Sequence, residues 1–457
     1  MFTLGSISNF DRVNFRPFPL RCAFALALLS ARAAELPPAP DAAARHAFNT
    51  ALGVLRDGNP DQFATALADF RARFPGDALL GDLRLEAALS RAHTAWKSAR
   101  AEDVDAAADG LRDFIREFPR NDRMAEARLA LAELAALGPE VDLDTARNQL
   151  RLARAAGPSP EAAERGDVLA IDLARQPGSA DNPVVLADRF LKQHPQSRFV
   201  DSVRFARAEI LLRHGMFDDA GIAWERLAVQ QPNSPLVPAA LFGAGEAALR
   251  QESGRSLERA ASLFESVAGI SPPGPLRAAA RLGQARAKLR LGRAAVALIH
   301  CDEILRGEDG PPNEATRIGT ALTRGEALLR LSSDDSARLP EAAAAFRAVT
   351  EAPSVPPELR RQSFAQLGDA LRRTGDRLGA IAAWREAMRA PPAGGQDLIW
   401  FARAGFEAAQ ALQELERWRE AAGVYEDLAQ SGGWFRTEAE ARLTQLRLAH
   451  FLWPEPR

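Results

Sequence analysis

The sequence predicts an all-α protein built as a solenoid of stacked helix pairs. Its 457 residues are rich in Ala, Leu, Arg and Glu, which favour helices, whereas Tyr occurs once and runs of β-branched residues are rare. Amphipathic stretches end repeatedly in a proline, and these prolines lie 37 to 44 residues apart. Each period has room for two helices and two turns, which is the unit of a helical-repeat protein.

The prolines that close the units also locate the second helix of each unit, called helix B here. They are Pro75, Pro119, Pro158, Pro195, Pro232, Pro272, Pro311, Pro353 and Pro391. Before most of them, an Ala is followed four residues later by a larger side chain, so that both lie on one helical face. The small residue lets a neighbouring helix approach, and the large one fills the space beside it. These pairs are Ala107 and Leu111, Ala146 and Leu150, Ala220 and Trp224, Ala260 and Phe264, Ala342 and Phe346, Ala380 and Trp384, and Ala421 and Tyr425.

The first helix of each unit, helix A, is predicted by a second amphipathic run that follows the proline. Examples are residues 199–212 and 364–371. Gly215 and Gly375 stand between A and B, where glycine can adopt the left-handed geometry that ends a helix. The two helices of a unit are therefore expected to run antiparallel.

One unit resembles a tetratricopeptide repeat in its small, aromatic and proline positions. Its matching residues are Phe364, Leu367, Gly368, Leu371, Gly375, Ala380, Trp384, Ala387 and Pro392, and a second match is formed by Ala208, Leu211, Gly215, Ala220, Trp224, Leu227 and Pro232. The resemblance implies a right-handed superhelix whose A helices line a concave groove for a peptide or protein segment. The long units with Phe-Pro endings resemble the envelope branch of this family, which includes the barrel-assembly lipoprotein of the outer membrane and the periplasmic TolA-binding coordinator.

The N-terminus has the pattern of an export signal. Arg12, Arg16 and Arg21 precede the apolar residues 22–29, and Ala31 and Ala33 supply a small-x-small cleavage site. The apolar run is about half of the roughly 20 residues that span a bilayer, which disfavours a permanent anchor. The sequence therefore predicts a signal peptide over 1–33 and a chain that is periplasmic, outer-membrane associated or secreted; the alternative is a short buried helix.

The remaining chain divides by composition and by the quality of the repeats. Residues 34–40 are a Pro-rich spacer, 41–175 are predicted to be divergent helical repeats, and 184–457 are repeats of the tetratricopeptide type. Between them, residues 176–183 are rich in helix breakers and are the candidate hinge.

The sequence lacks the patterns that catalysis or cofactor binding requires. The formal net charge of −2 does not suggest nucleic acid as a partner, and the six histidines include no metal-binding spacing. Gly243-Ala-Gly245 lies inside a predicted A helix without the preceding strand of a phosphate-binding loop, which indicates close helix packing instead. Cys301 follows Ala297 by four residues and takes the position of the core aromatic residues, which predicts a buried thiol. We therefore expect no enzyme activity, metal or cofactor.

A row of charged residues at two A-helix positions is the candidate binding site. One position holds Arg213, Arg250, Arg290, Arg330 and Arg373. The other lies four residues earlier and holds Glu209, Glu246, Arg286, Glu326 and Asp369. This spacing favours ordinary ion pairs on a solvated helix face. The resemblance, in which these positions face the groove, implies instead a row of guanidinium groups that binds carboxylates of a partner. Arg286 would make its own step of the row more positive.

The C-terminal end offers a second candidate surface. The aromatic residues there are Trp400, Phe401, Trp418, Trp434, Phe435, Phe451 and Trp453. They are either the core of a capping helix or a docking face for a partner. The sequence as a whole favours a scaffold that binds a protein or peptide, with a helical subunit of a cell-wall glycan enzyme and a self-associating structural subunit as alternatives.

Overall fold

A computed structural model describes residues 42–58, 60–137 and 142–452 of the chain. Over these ranges the protein forms 21 α-helices and one short 3-10 helix, Ser336–Arg338, with no strand. The predicted signal peptide, the Pro-rich spacer and Trp453 lie outside the described residues. The predicted all-α class is confirmed.

Contacts group the described residues into two compact units that meet in sequence between Gly215 and Met216. The N-terminal unit contains α1 (Ala42–Arg56), α2 (Pro60–Arg73), α3 (Ala78–Ser98), α4 (Ala101–Glu117), α5 (Met124–Ala135), α6 (Leu143–Ala155), α7 (Pro160–Ala174), α8 (Pro183–Gln193) and α9 (Val200–Arg213).

The C-terminal unit contains twelve α-helices within the described residues. They are α10 (Phe217–Gln230), α11 (Val237–Arg250), α12 (Gly254–Ile270), α13 (Pro275–Arg290), α14 (Ala294–Leu305), α15 (Glu314–Leu331), α16 (Leu339–Thr350), α17 (Pro357–Thr374), α18 (Arg377–Ala387), α19 (Gly395–Glu414), α20 (Trp418–Ser431) and α21 (Arg436–His450).

Within each unit the helices pack mainly against their neighbours in sequence. Short turns join many A helices to their B helices, such as residues 99–100, 291–293 and 375–376, so the two helices run antiparallel. Gly375 has a φ of 89° and ends α17 in the left-handed conformation, as its sequence position predicts. The nine prolines all lie in the connections from a B helix to the next A helix. The predicted architecture of repeated helix pairs is thus confirmed.

The core is formed by the alternation of small and large residues that the sequence predicts. Both members of every Ala-to-large pair are buried, and Trp224, Phe264, Phe346 and Trp384 are almost fully inaccessible to solvent. Phe264 lies between two glycines of successive A helices: a methyl group added at Gly245 or Gly283 would lie 2.8 or 2.6 Å from its ring. The Gly243-Ala-Gly245 sequence therefore serves close helix packing.

The segment predicted as a hinge lies inside the N-terminal unit. Residues 175–182 connect α7 to α8, and the side chain of Asn182 accepts hydrogen bonds from the first two residues after Pro183. The division between the two compact units falls instead in the turn between α9 and α10, which the repeat pattern places within one unit. A hinge motion at 176–183 stays a prediction.

Candidate ligand-binding surface

Three arginines of the predicted row are fixed by bonds to the backbone of another A helix. Arg290 donates a hydrogen bond of 2.8 Å to the carbonyl oxygen of Leu249, Arg330 donates to that of Leu289, and Arg373 donates to that of Leu329 at 3.2 Å. Each acceptor lies in the last turn of its helix, where carbonyl groups are in excess and the helix dipole is negative. The row therefore joins successive helix pairs to one another.

These bonds leave the guanidinium groups of Arg330 and Arg373 with donors to spare. In the described structure each of the two uses one nitrogen for its carbonyl acceptor, whereas a guanidinium carries five N–H groups. Arg373 is exposed and Arg330 is half-buried. A group held in this way is oriented in advance and can still bind a carboxylate.

Arg213 and Arg250 have different surroundings. The Arg250 guanidinium lies 5.8 Å from the centre of the Phe217 ring, at cation-π distance. Arg213 is an exposed residue that makes no hydrogen bond or ion pair with the part of the chain that the structure describes. Partial burial of its guanidinium, and then the positive charge of Arg175, lower the pKa of Arg213, and Glu209 opposes this shift.

The carboxylates of the row bind side chains of neighbouring helices. Glu209 accepts a hydrogen bond of 2.7 Å from Arg175, and both side chains are almost fully buried. Glu326 accepts bonds of 3.0 Å from Gln362 and Gln366, both on α17. These acids thus stabilise contacts between helix pairs.

Asp369 and its partner Arg403 repeat this arrangement further along the chain. Asp369 accepts a hydrogen bond from Arg403 on α19. Burial raises the pKa of Asp369 to about 6, against the opposing effect of Arg403. Burial also raises the pKa of Glu326.

Arg286 lies near the acids of the two adjacent A helices. Its pKa is lowered by burial, and the negative charges of Glu246 and Glu326 act in the opposite direction. These two acids occupy the same helix position in the adjacent A helices. The sequence therefore alternates acid, base and acid through this position of the row, and a more positive step at Arg286 stays a prediction.

The C-terminal aromatic residues separate into a core group and an exposed group. Phe401 and Phe435 are buried with ring centres 6.2 Å apart, and Trp418 stacks on His450 at 3.7 Å. Trp434 and Phe451 are 69% and 77% exposed. Helix α21 buries Ala439, Leu443 and Leu446 and is otherwise largely polar, so it caps the preceding pair.

Cys301 and possible metal ligands are the other groups whose chemistry the sequence raises. Cys301 is fully buried, as predicted, and its thiol has a pKa raised to about 12, chiefly by that burial. No group of three or more His, Cys, Asp or Glu in the described ranges has the geometry to hold a metal ion. The helices described are all too short or too polar to cross a bilayer.

One cavity was not anticipated from the sequence. It has a volume of about 420 Å³ and lies beside the connection from α7 to α8, with Arg175 and Arg213 in its wall. The unusual length of this connection and its content of Gly, Ser, Asp and Asn were the available signals. From the sequence these signals predict a hinge, because helix breakers mark an irregular segment without showing what it encloses.

The repeated antiparallel pair, with its small and aromatic core positions, gives the described residues a helical-repeat fold of the tetratricopeptide-like type. No model of a protein family matches the chain, and no curated protein matches its sequence. The fold is instead similar to solved structures of low sequence identity.

Three of these structures illustrate the likeness. A tetratricopeptide repeat protein from Parabacteroides merdae is 12% identical over 70% of this chain and 98% of its own, with a TM-score of 0.38. Yeast Tom70 is 14% identical over 75% and 67%, with a TM-score of 0.41. Human IFIT1, solved as a dimer with m7Gppp-AAAA, is 12% identical over 93% of both chains, with a TM-score of 0.44. At these values the likeness concerns the fold and carries no argument about ligands.

Proposed function

We propose that this chain is a non-enzymatic scaffold that binds an acidic peptide or protein segment along the row of A-helix arginines. The observation that carries the proposal is the fixation of Arg290, Arg330 and Arg373 through backbone carbonyls at intervals of one repeat. Fixing a long side chain before binding removes part of the entropy cost of ordering it on a ligand. Such a row suits a partner that lies across several repeats.

Carboxylates are the partner groups that this surface favours. A guanidinium binds a carboxylate through two parallel hydrogen bonds, and Arg330 and Arg373 retain donors for them. The acids Glu326 and Asp369 are already bound by neighbouring side chains, so they compete less for those donors. We therefore expect a partner whose acidic residues are spaced along an extended or helical segment.

The test is selection of peptides from a random displayed library on the purified chain. We expect an acidic consensus that loses at least about tenfold in affinity, or about 1.4 kcal/mol, when Arg330 and Arg373 are both changed to Gln. The matched control changes Arg347 and Arg306, two exposed arginines of the same unit, to Gln. Circular dichroism confirms folding of both variants. Equal affinity of the two variants, or selection of no acidic peptide, contradicts the proposal.

The proposed setting is the bacterial cell envelope. It is supported by the three arginines, the short apolar run and the small-residue site in residues 12–33. Export predicts that the native protein begins near Ala34 and is released with the periplasmic fraction. Mass spectrometry of the native N-terminus measures this, and an intact residue 1–33 segment on a cytoplasmic protein contradicts it.

A further inference from the structure

The cavity beside the connection from α7 to α8 is a local departure from the repeat. Helices α3 and α4 are joined by residues 99–100 alone, whereas α7 and α8 are joined by residues 175–182. The additional residues, including Ser179 and Asp181, form one side of the cavity, and the last turns of α7 and α9 form the other. Its volume of about 420 Å³ falls within the range of pockets that bind small molecules.

Within the described residues, Arg213 lines this cavity and lacks the bond to a backbone carbonyl that three other arginines of the row make. Arg290, Arg330 and Arg373 each donate a hydrogen bond to a carbonyl oxygen in the preceding A helix. In each case the acceptor is the residue just before the row arginine of that preceding helix. The corresponding residue of α7 is Ala174, which lines the cavity together with Arg213. No bond joins the Arg213 guanidinium to it within the described structure, so a cation faces the cavity where its equivalents are satisfied.

The charges around the cavity select the class of ligand. Arg175 is fixed by Glu209 at 2.7 Å and by Asp172 at 3.4 Å, so its charge is balanced. Arg213 on α9 and the exposed Asp181 on the connection then remain, and neither has an ion pair among the described residues. One cation and one anion match a ligand that itself carries both charges, whereas a phosphate dianion would be repelled by Asp181.

We propose that this cavity binds a small zwitterionic carboxylate, of amino-acid to dipeptide size, with its carboxylate on Arg213 and its amine towards Asp181. Ile210, Ala180 and Pro183 contribute the apolar part of the wall, which suits a small aliphatic side chain. The site lies within the N-terminal unit and does not depend on the protein-binding surface proposed above, whose test residues are in the C-terminal unit.

The experiment is isothermal titration of the full chain with the dipeptide Ala-Ala. We expect saturable binding that weakens at least about tenfold in Arg213→Met and by a smaller factor in Asp181→Asn. The control is Arg120→Met, which removes an exposed arginine of the same unit away from the cavity and leaves the affinity unchanged. Circular dichroism confirms that each variant is folded.

Three further ligands distinguish the charges that matter. Ala-Ala amide lacks the carboxylate, so it should bind weakly and equally to the wild type and Arg213→Met. N-acetyl-Ala-Ala lacks the amine and should respond little to Asp181→Asn. Inorganic phosphate should bind more weakly than Ala-Ala. The proposal is overturned if Arg213→Met retains its affinity for the dipeptide or if phosphate binds more tightly than Ala-Ala. It is also overturned if Ala-Ala shows no saturable binding up to about 10 mM, since a dissociation constant above that concentration means negligible affinity.

Discussion

The Asp369 carboxyl makes stability depend on pH. Burial raises its folded-state pKa from 3.8 to about 6, so the folded protein binds this proton more tightly than the unfolded chain does. The stabilisation is complete below pH 3.8 and is lost as the pH rises through 6. For this group alone, stability at pH 5 should exceed stability at pH 8 by about 1 kcal/mol.

Asp369→Asn should remove this contribution. The wild type should have the higher urea midpoint at pH 5 than at pH 8, and the difference should shrink in the variant, because Asn does not titrate. Fluorescence or circular dichroism measures both midpoints, with the exposed Asp334→Asn as control. An unchanged pH dependence in Asp369→Asn would contradict the raised pKa.

Cys301 should be unreactive in the folded protein. Its thiol is fully buried and has a pKa of about 12, whereas a thiol reacts as the thiolate. The sequence has one other cysteine, Cys22, which the variant Cys22→Ser removes. In that variant, iodoacetamide at pH 8 should label Cys301 only after denaturation, as counted by mass spectrometry. Rapid labelling of the native chain would show that α14 opens readily.

At the scale of residues, the sequence predicts burial better than bonding. Burial of Cys301 followed from its place in the repeat, and so did burial of Trp224 and Trp384. The bond from Arg330 to the Leu289 carbonyl did not, because side-chain patterns carry no record of a backbone acceptor 41 residues away. Arg213 shows a second limit of the sequence. Its position in the repeat is regular, and only the structure shows that it lines a cavity.

At the scale of helices, contacts between glycines and aromatic rings determine how closely A and B helices pack. Gly283→Ala places a methyl group 2.6 Å from the Phe264 ring, and the helices or the ring must shift. We expect a loss of about 1–3 kcal/mol, the usual cost of overpacking a core. Gly269, in α12, has open space around it, so Gly269→Ala should stabilise by about 0.5–1 kcal/mol through helix propensity.

Urea unfolding of the two glycine variants beside the wild type measures this contrast. The pair is matched because both changes add one methyl group to a helix of the same unit. Equal effects of the two substitutions would mean that propensity, and not the contact with Phe264, dominates.

Helix positions were largely predictable because each B helix repeats the same spacing of Ala and a large residue. The predicted run 199–212 corresponds to α9, Val200–Arg213, whereas the run 364–371 covers only part of α17, Pro357–Thr374. The early residues of α17 escaped prediction because Arg361 interrupts the apolar pattern. That arginine is buried and bonded to Asp397 at 2.6 Å, a partner on another helix that the local pattern cannot reveal.

At the scale of the whole molecule, the contacts are local, and each compact unit should fold by itself. Residues 216–457 expressed alone should show a helical circular dichroism spectrum and a cooperative urea transition, because helices in this unit pack mainly on their neighbours in sequence. The control is a fragment that begins at Gly254. It lacks α10 and α11, so α12 has lost the helix with which it pairs. It should unfold at a lower urea concentration.

An unfolded 216–457 fragment would contradict the division into units. The sequence did not predict this division, since breakers cluster at 176–183 while the turn at Gly215 fits the repeat. Composition marks where helices end, but it does not reveal where tertiary contacts become sparse.

The bonds from arginine to carbonyl also bear on how such a gene can change in length. Arg330 binds the Leu289 carbonyl as Arg290 binds that of Leu249, so donor and acceptor occupy equivalent places in successive units. Recombination that removes one entire period therefore brings an equivalent arginine donor to an equivalent leucine carbonyl. The hydrogen bond between the two units can form again. Loss of a partial period breaks this match. Gain or loss of one whole period between these units therefore preserves the arginine-to-carbonyl bond at the new junction.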